Sequence, residues 1–166
     1  MRGHAAVAKM PALTRILLVD DTPAEWQLAL TSIGDDATKG QTAVVKDKDE
    51  ALDFLHSRGA FRRRASGMPA VVVVGPSMRP PAAFALLKDI RNDVALRRVP
   101  VVMVATALDA RTVKSAYEHG VNSLVCSDDD VKIRGEHYAA LARFWASTNE
   151  PPPGRAPLSK LVPDKP

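Results

Sequence analysis

Several things are scarce in this chain, and each scarcity excludes something. Cys126 is the only cysteine among 166 residues, so no intramolecular disulfide can form, and a reducing cytosol suits the sequence. At the end of an apolar run, Cys126 reads as a buried structural thiol. No apolar run approaches the ~20 residues that a membrane helix requires. Met1 to Met10 is basic but has no apolar core of signal-peptide length, so export is not expected. His4, His56, His119 and His137 are dispersed without metal-ligand spacing, which points to surface or structural roles. No glycine-rich phosphate loop follows the first apolar run; Asp20-Asp21-Thr22-Pro23 occupies that place, which argues against a nucleotide-binding enzyme.

Hydrophobic residues make up 46% and charged residues 25%, enough for one compact core with tails. The net charge is +4, but the basic residues are scattered apart from Arg62-Arg63-Arg64. No recognition helix, zinc spacing or aromatic-rich sheet accompanies that triplet. It reads as a solvated loop, with a docking patch for an acidic partner as the alternative. Nucleic acid is not the expected partner, and neither is a membrane.

Apolar runs alternate with helical patterns. Strands are expected at Arg15 to Asp20, Thr42 to Lys46, Ala70 to Val74, Val99 to Ala105 and Val121 to Cys126. Helix starts are expected at Thr22, where Pro23 fits the first position and Glu25 would complete a capping box, and at Asp47 with Glu50. Trp26, Leu30 and Ile33 would share one side of the first helix. The paired prolines Pro80-Pro81 are tolerable only where a helix begins. A fourth helix spans Asp109 to His119, closed by Gly120, and a fifth Val131 to Ala146, with Tyr138, Leu141 and Trp145 on one face. Residues 1–13 read as a flexible segment, 14–149 as the domain, and 150–166 as a proline-rich tail. Five βα repeats predict an α/β/α sandwich around a five-stranded parallel sheet in the flavodoxin-like order 2-1-3-4-5. In such sheets the functional site lies beyond the carboxyl ends of the strands.

The series Arg15-Ile-Leu-Leu-Val-Asp20-Asp21, Ala43 to Leu55 with Arg58-Gly59-Ala60-Phe61, Arg97 to Val102, Glu118 to Ser123 and Phe144-Trp145 before Asn149-Glu150-Pro151-Pro152 resembles a response-regulator receiver domain. It resembles in particular the stand-alone receivers that partner bacterial phytochromes. The resemblance implies that Asp20 and Asp21 match two acidic Mg²⁺ ligands. It places Gly75 where the phosphoaccepting aspartate would stand. It places Ala105 at the position of the switch hydroxyl, Ser127 at that of the lysine and Leu124 at that of the switch aromatic. Four of these parts are therefore replaced by residues that cannot do the work. Ser127 also admits a simpler reading as a helix cap beside Asp128-Asp129-Asp130.

The expectation is a pseudo-receiver in two-component signalling, not an enzyme, acting by phosphorylation-independent protein binding. It would require no cofactor and would bind Mg²⁺ only weakly, through Asp20 and Asp21. Its expected partners are a histidine kinase, a phytochrome-like sensor or another receiver. A homodimer is expected through Tyr138, Phe144 and Trp145, because the last helix carries more large apolar surface than one buried stripe needs. The alternatives are phosphorylation at Ser77, Asp20 or Asp21, or a basic flavodoxin-like module that binds nucleic acid.

Overall fold

The computed structural model describes residues 14–65 and 67–152. The flexible segment expected at 1–13, and the tail from 153 onward, lie outside the described residues. Five parallel strands form one sheet in the order β2-β1-β3-β4-β5, as the alternation of elements predicts. They are β1 (Ile16–Val19), β2 (Thr42–Val45), β3 (Val71–Val74), β4 (Val101–Thr106) and β5 (Ser123–Ser127). The helices are α1 (Pro23–Ser32), α2 (Asp36–Gly40), α3 (Lys48–Leu55), α4 (Pro80–Asn92), α5 (Ala110–Glu118) and α6 (Val131–Ala142). The short α2, capped by the Asp35 carboxylate on the Thr38 amide, has no counterpart in the expected pattern.

Every residue of β1 and β3 is buried because helices cover both faces of the sheet. Alternation then divides the core. Leu17, Val19, Val72 and Val74 face one way, toward Phe54 of α3 and Leu86, Leu87 and Ile90 of α4. Ile16, Leu18, Val71 and Val73 face the other, toward Ala29 of α1 and Tyr138 and Ala142 of α6.

Local chemistry fixes the helix starts. The Asp47 carboxylate accepts from the Glu50 amide at 2.9 Å and so caps α3. Pro80 and Pro81 occupy the first turn of α4, where no intrahelical N–H is required. The first turn of α1 differs from the expected capping box. The Thr22 side chain makes no capping bond, and Glu25 turns inward. Consequently the buried line on α1 is Glu25 and Ala29, continued by Ile33 just past its end, while Trp26 is only half-buried.

Helices α1 and α6 approach closely. A Cβ on Gly135 would lie 2.7 Å from the Ser32 Oγ, so glycine lets the two helices meet. The expected last helix continues to Thr148, but its final six residues, Arg143–Thr148, wind as a π-helix. Arg64 also departs from the reading of a solvated loop. Its Nε donates to the Phe54 carbonyl at 2.6 Å, another nitrogen reaches the Gly67 carbonyl at 3.0 Å, and the guanidinium sits 4.4 Å from the Phe54 ring centre. It is a structural clamp on the turn after α3.

Candidate functional site

The strand register assembles the site. Val19 pairs with Val74, so the residues that follow them, Asp20 and Gly75, leave the sheet side by side. The Gly75 amide donates to the Val19 carbonyl at 2.9 Å. Ala105 and Thr106 end β4 and pair with Cys126 and Ser127 of β5. The carboxyl edge therefore brings together Asp20, Asp21, Gly75, Ala105 and Ser127. Leu124 lies within β5 opposite Met103, half-buried against the core beneath that edge.

Asp20 dominates the arrangement. It is fully buried. Its Oδ1 accepts from the Thr22 amide at 2.9 Å and its Oδ2 from the Ser77 amide at 3.0 Å. The Trp26 indole N–H donates to its backbone carbonyl. Burial pushes the Asp20 carboxyl above its ordinary value, and the hydrogen bonds from Thr22 and Ser77 offset part of that rise. Asp21 behaves differently. It is exposed, and its carboxylate accepts from the Thr22 hydroxyl at 3.1 Å.

Gly75 is shaped by this neighbour. A Cβ built on Gly75 would lie 2.2 Å from the Asp20 Oδ2 and 2.9 Å from its Cβ and Cγ. The space that any larger side chain would enter is thus occupied by the Asp20 carboxylate. Beside it opens a cleft of about 380 Å³ lined by Asp21, Lys46, Lys48, Ser77 and Arg79, with Asp47 and Asp49. Both of its lysines are engaged. Lys46 pairs with Glu50 at 3.3 Å, and Lys48 with Asp89 at 2.9 Å.

Asp20 and Asp21 offer a divalent cation an incomplete set of oxygens in this arrangement. Mg²⁺ binds by near-octahedral oxygen coordination, usually through one or two carboxylates. Here each oxygen of Asp20 already accepts one N–H, Asp21 is the one exposed carboxylate of the pair, and Gly75 adds none. Among the described residues no group of three His, Cys, Asp or Glu side chains could hold a metal.

A second polar cluster lies one turn below and was not legible in the sequence. Glu25 is buried, and its Oε1 accepts from the Arg134 Nε at 2.8 Å and from the Tyr138 hydroxyl at 2.7 Å. The guanidinium also reaches the carbonyls of Asp128 at 3.0 Å and Asp129 at 3.2 Å, which ties the loop after β5 to α1. Burial, then the bond to Glu25, pushes the Tyr138 phenol upward, so it stays a donor. The only available signal was Glu25 itself, three residues after Thr22, where it resembles a capping partner.

Three expectations about individual side chains are corrected. Tyr138 cannot present itself to a partner, because its ring packs in the α6 side of the core and its hydroxyl is held by Glu25. Ser127 does not cap α6; that role falls to Asp130, which accepts from the Lys132 amide at 2.8 Å. Ser127 is instead buried and bonded to the His137 Nδ1 at 3.0 Å. Cys126 is exposed, not buried. It stands on an edge strand, where burial is set side chain by side chain and not by the apolar character of the run. Phe144 is 49% exposed and Trp145 half-buried, the two rings meeting edge to face.

Comparison with known proteins bears on this geometry. No protein-family model matches the chain. The bacteriophytochrome response regulator RtBRR is 35% identical, with 86% of each chain covered and a TM-score of 0.62. The chain belongs to the response-regulator receiver family. Other receivers share the fold at lower identity. The phosphorylated cyanobacterial phytochrome response regulator RcpA superposes with a TM-score of 0.73 at 21% identity, covering 85% of this chain and 99% of its own. Response regulator Rcp1 of Synechocystis is 23% identical over 133 residues, 80% of this chain and 89% of Rcp1. The crystal structure of the Mn²⁺-bound form of Rcp1 superposes with a TM-score of 0.71. This receiver is thus similar to response regulators named for phytochromes, and its site must be judged on the residues it carries.

Proposed function

We propose that this receiver is a signalling module of a two-component pathway that accepts no phosphoryl group at the usual position and acts by binding other proteins. One observation carries the reading: position 75, at the end of the central strand, is a glycine, and the Asp20 carboxylate already fills the space beside it. Phosphoryl transfer to a receiver needs a carboxylate nucleophile, a metal to screen charge and a cation to hold the product. Gly75 supplies no nucleophile, Asp20 is committed to two amides, and Ser127 is a neutral side chain bonded to His137. The chain is on this reading not an enzyme and needs no metal.

The relatives suggest the partner class. They are named as phytochrome response regulators, which favours a histidine kinase of the phytochrome-like kind, or another receiver, in the cytosol. No helix among the described residues is long and apolar enough to cross a membrane. A homodimer through the outer side of α6 and β5 also fits. Phe144 and Trp145 border an apolar groove of about 420 Å³ there, together with Val125 and Leu141. Tyr138 is not part of that surface.

The test is intact-mass analysis after incubation with acetyl phosphate and Mg²⁺, beside light scattering of the same samples. The expected result is no phosphoryl adduct and a dimer insensitive to the phosphodonor. A stable adduct mapped to Ser77, Asp20 or Asp21 would establish an active, atypical receiver instead.

A further inference from the structure

We propose that Asp20 is an internal occupant of the phosphoacceptor position, its carboxylate filling the space over Gly75 and fastening the loops after β1 and β3 without a bound cation. This rests on the family assignment and deepens the proposed function by saying what holds the degenerate site together.

The argument begins with the glycine. Glycine is often required where the backbone adopts positive φ, and Gly59, Gly67 and Gly120 do so here. Gly75 does not. Its need is for space, because a methyl group would meet the Asp20 Oδ2 at 2.2 Å. Asp20 in turn does not point into the cleft to wait for a ligand. It has no solvent exposure, and each oxygen receives one backbone N–H, Thr22 on one side and Ser77 on the other. Thr22 stands at the start of α1 and Ser77 in the turn leading to α4. A single carboxylate therefore ties together segments 57 residues apart in sequence.

The same geometry opposes a cation. The amide dipoles turn their positive ends toward the two oxygens that a metal would approach. Of the neighbouring carboxylates, Glu25 is neutralised by Arg134 at 2.8 Å, and Asp21, exposed on the cleft and bonded to the Thr22 hydroxyl at 3.1 Å, would meet a cation without Asp20 beside it. The edge is consequently set in one arrangement by covalently attached groups, with no dependence on metal or phosphate.

The experiment uses the full chain labelled with ¹⁵N. Amide hydrogen exchange at Thr22 and Ser77 is measured with and without millimolar Mg²⁺, and Mn²⁺ is then titrated to read paramagnetic broadening. The expected result is slow exchange at both amides, unchanged by Mg²⁺, and no saturable broadening. In Asp20→Ala the same two amides should exchange about tenfold faster or more, the factor matching loss of a charge-assisted bond, while Val72 to Val74 keep their protection. Saturable Mn²⁺ broadening centred on Thr22 and Ser77, or Mg²⁺-dependent protection, would overturn the proposal. These wild-type readings decide the matter even if Asp20→Ala does not fold. Metal binding without any phosphoryl adduct defeats this inference alone, whereas an adduct with acetyl phosphate defeats the proposed function.

Discussion

Replacing Arg134 by methionine should destabilise this protein far more than replacing an ordinary helix-surface arginine. The Arg134 side chain is only 13% exposed and that of Glu25 only 8%. Removing the guanidinium leaves the Glu25 carboxylate buried with a single donor, the Tyr138 hydroxyl. It also strips the carbonyls of Asp128 and Asp129 of their common donor. Breaking a buried ion pair by deleting one partner costs about 3–5 kcal/mol, because an uncompensated charge stays in the interior. At a urea slope of about 2 kcal/mol per molar, a loss of about 3 kcal/mol lowers the unfolding midpoint by about 1.5 M. Glu25→Leu combined with Arg134→Met removes both charges and leaves only neutral groups, the Tyr138 hydroxyl and the two carbonyls, without their partners. The double variant should therefore lose less than the two single variants summed, with a coupling of about 2 kcal/mol or more. Urea unfolding followed by far-UV circular dichroism of wild type, both singles and the double measures the cycle. Single variants within about 0.5 kcal/mol of wild type, or strict additivity, would show that the pair is solvated and that the argument from burial is wrong.

Two further outcomes follow from the Asp20 geometry. Gly75→Ala should cost about 1–3 kcal/mol by overpacking, since the new methyl must displace Asp20 from Thr22 and Ser77; a thermal midpoint equal to wild type would refute this. Asp20 has its carboxyl raised by burial above 3.8, so the folded state keeps that proton over a range in which the unfolded chain has lost it. This contribution to stability is full below 3.8 and declines as pH rises through the higher folded value. The stability of Asp20→Asn relative to wild type should accordingly improve from about pH 4 upward and then level off. Urea unfolding across that range checks it, and a flat or declining difference would contradict it.

Much of the fold was legible because one-dimensional chemistry dictates it. Ile16 to Val19 and Val71 to Val74 are apolar on both faces, which only a strand covered by two helix layers can satisfy. Asp47 before Glu50, and Pro80-Pro81, marked helix starts by capping and by the missing N–H. The carboxyl-edge position of Asp20, Asp21, Gly75, Ala105 and Ser127 followed from counting along βα units. Individual side chains were harder. Glu25 has the spacing of a capping residue, and its inward turn depends on Arg134 and Tyr138, more than 100 residues away. Arg64 looks like one of three loop cations until the Phe54 ring and carbonyl are placed beside it.

The sequence by itself determined the layers, the strand order and the absence of a carboxylate at position 75. Those depend on hydrophobic period, turn chemistry and residue identity, all of which are local properties. Only the tertiary structure decided what fills the space that absence leaves. The pairing of Val19 with Val74 brings Asp20 against Gly75, and the close approach of α1 and α6 at Gly135 brings Glu25 to Arg134. Such contacts join residues distant in the chain, so their geometry is set by packing and leaves no periodic trace in the sequence.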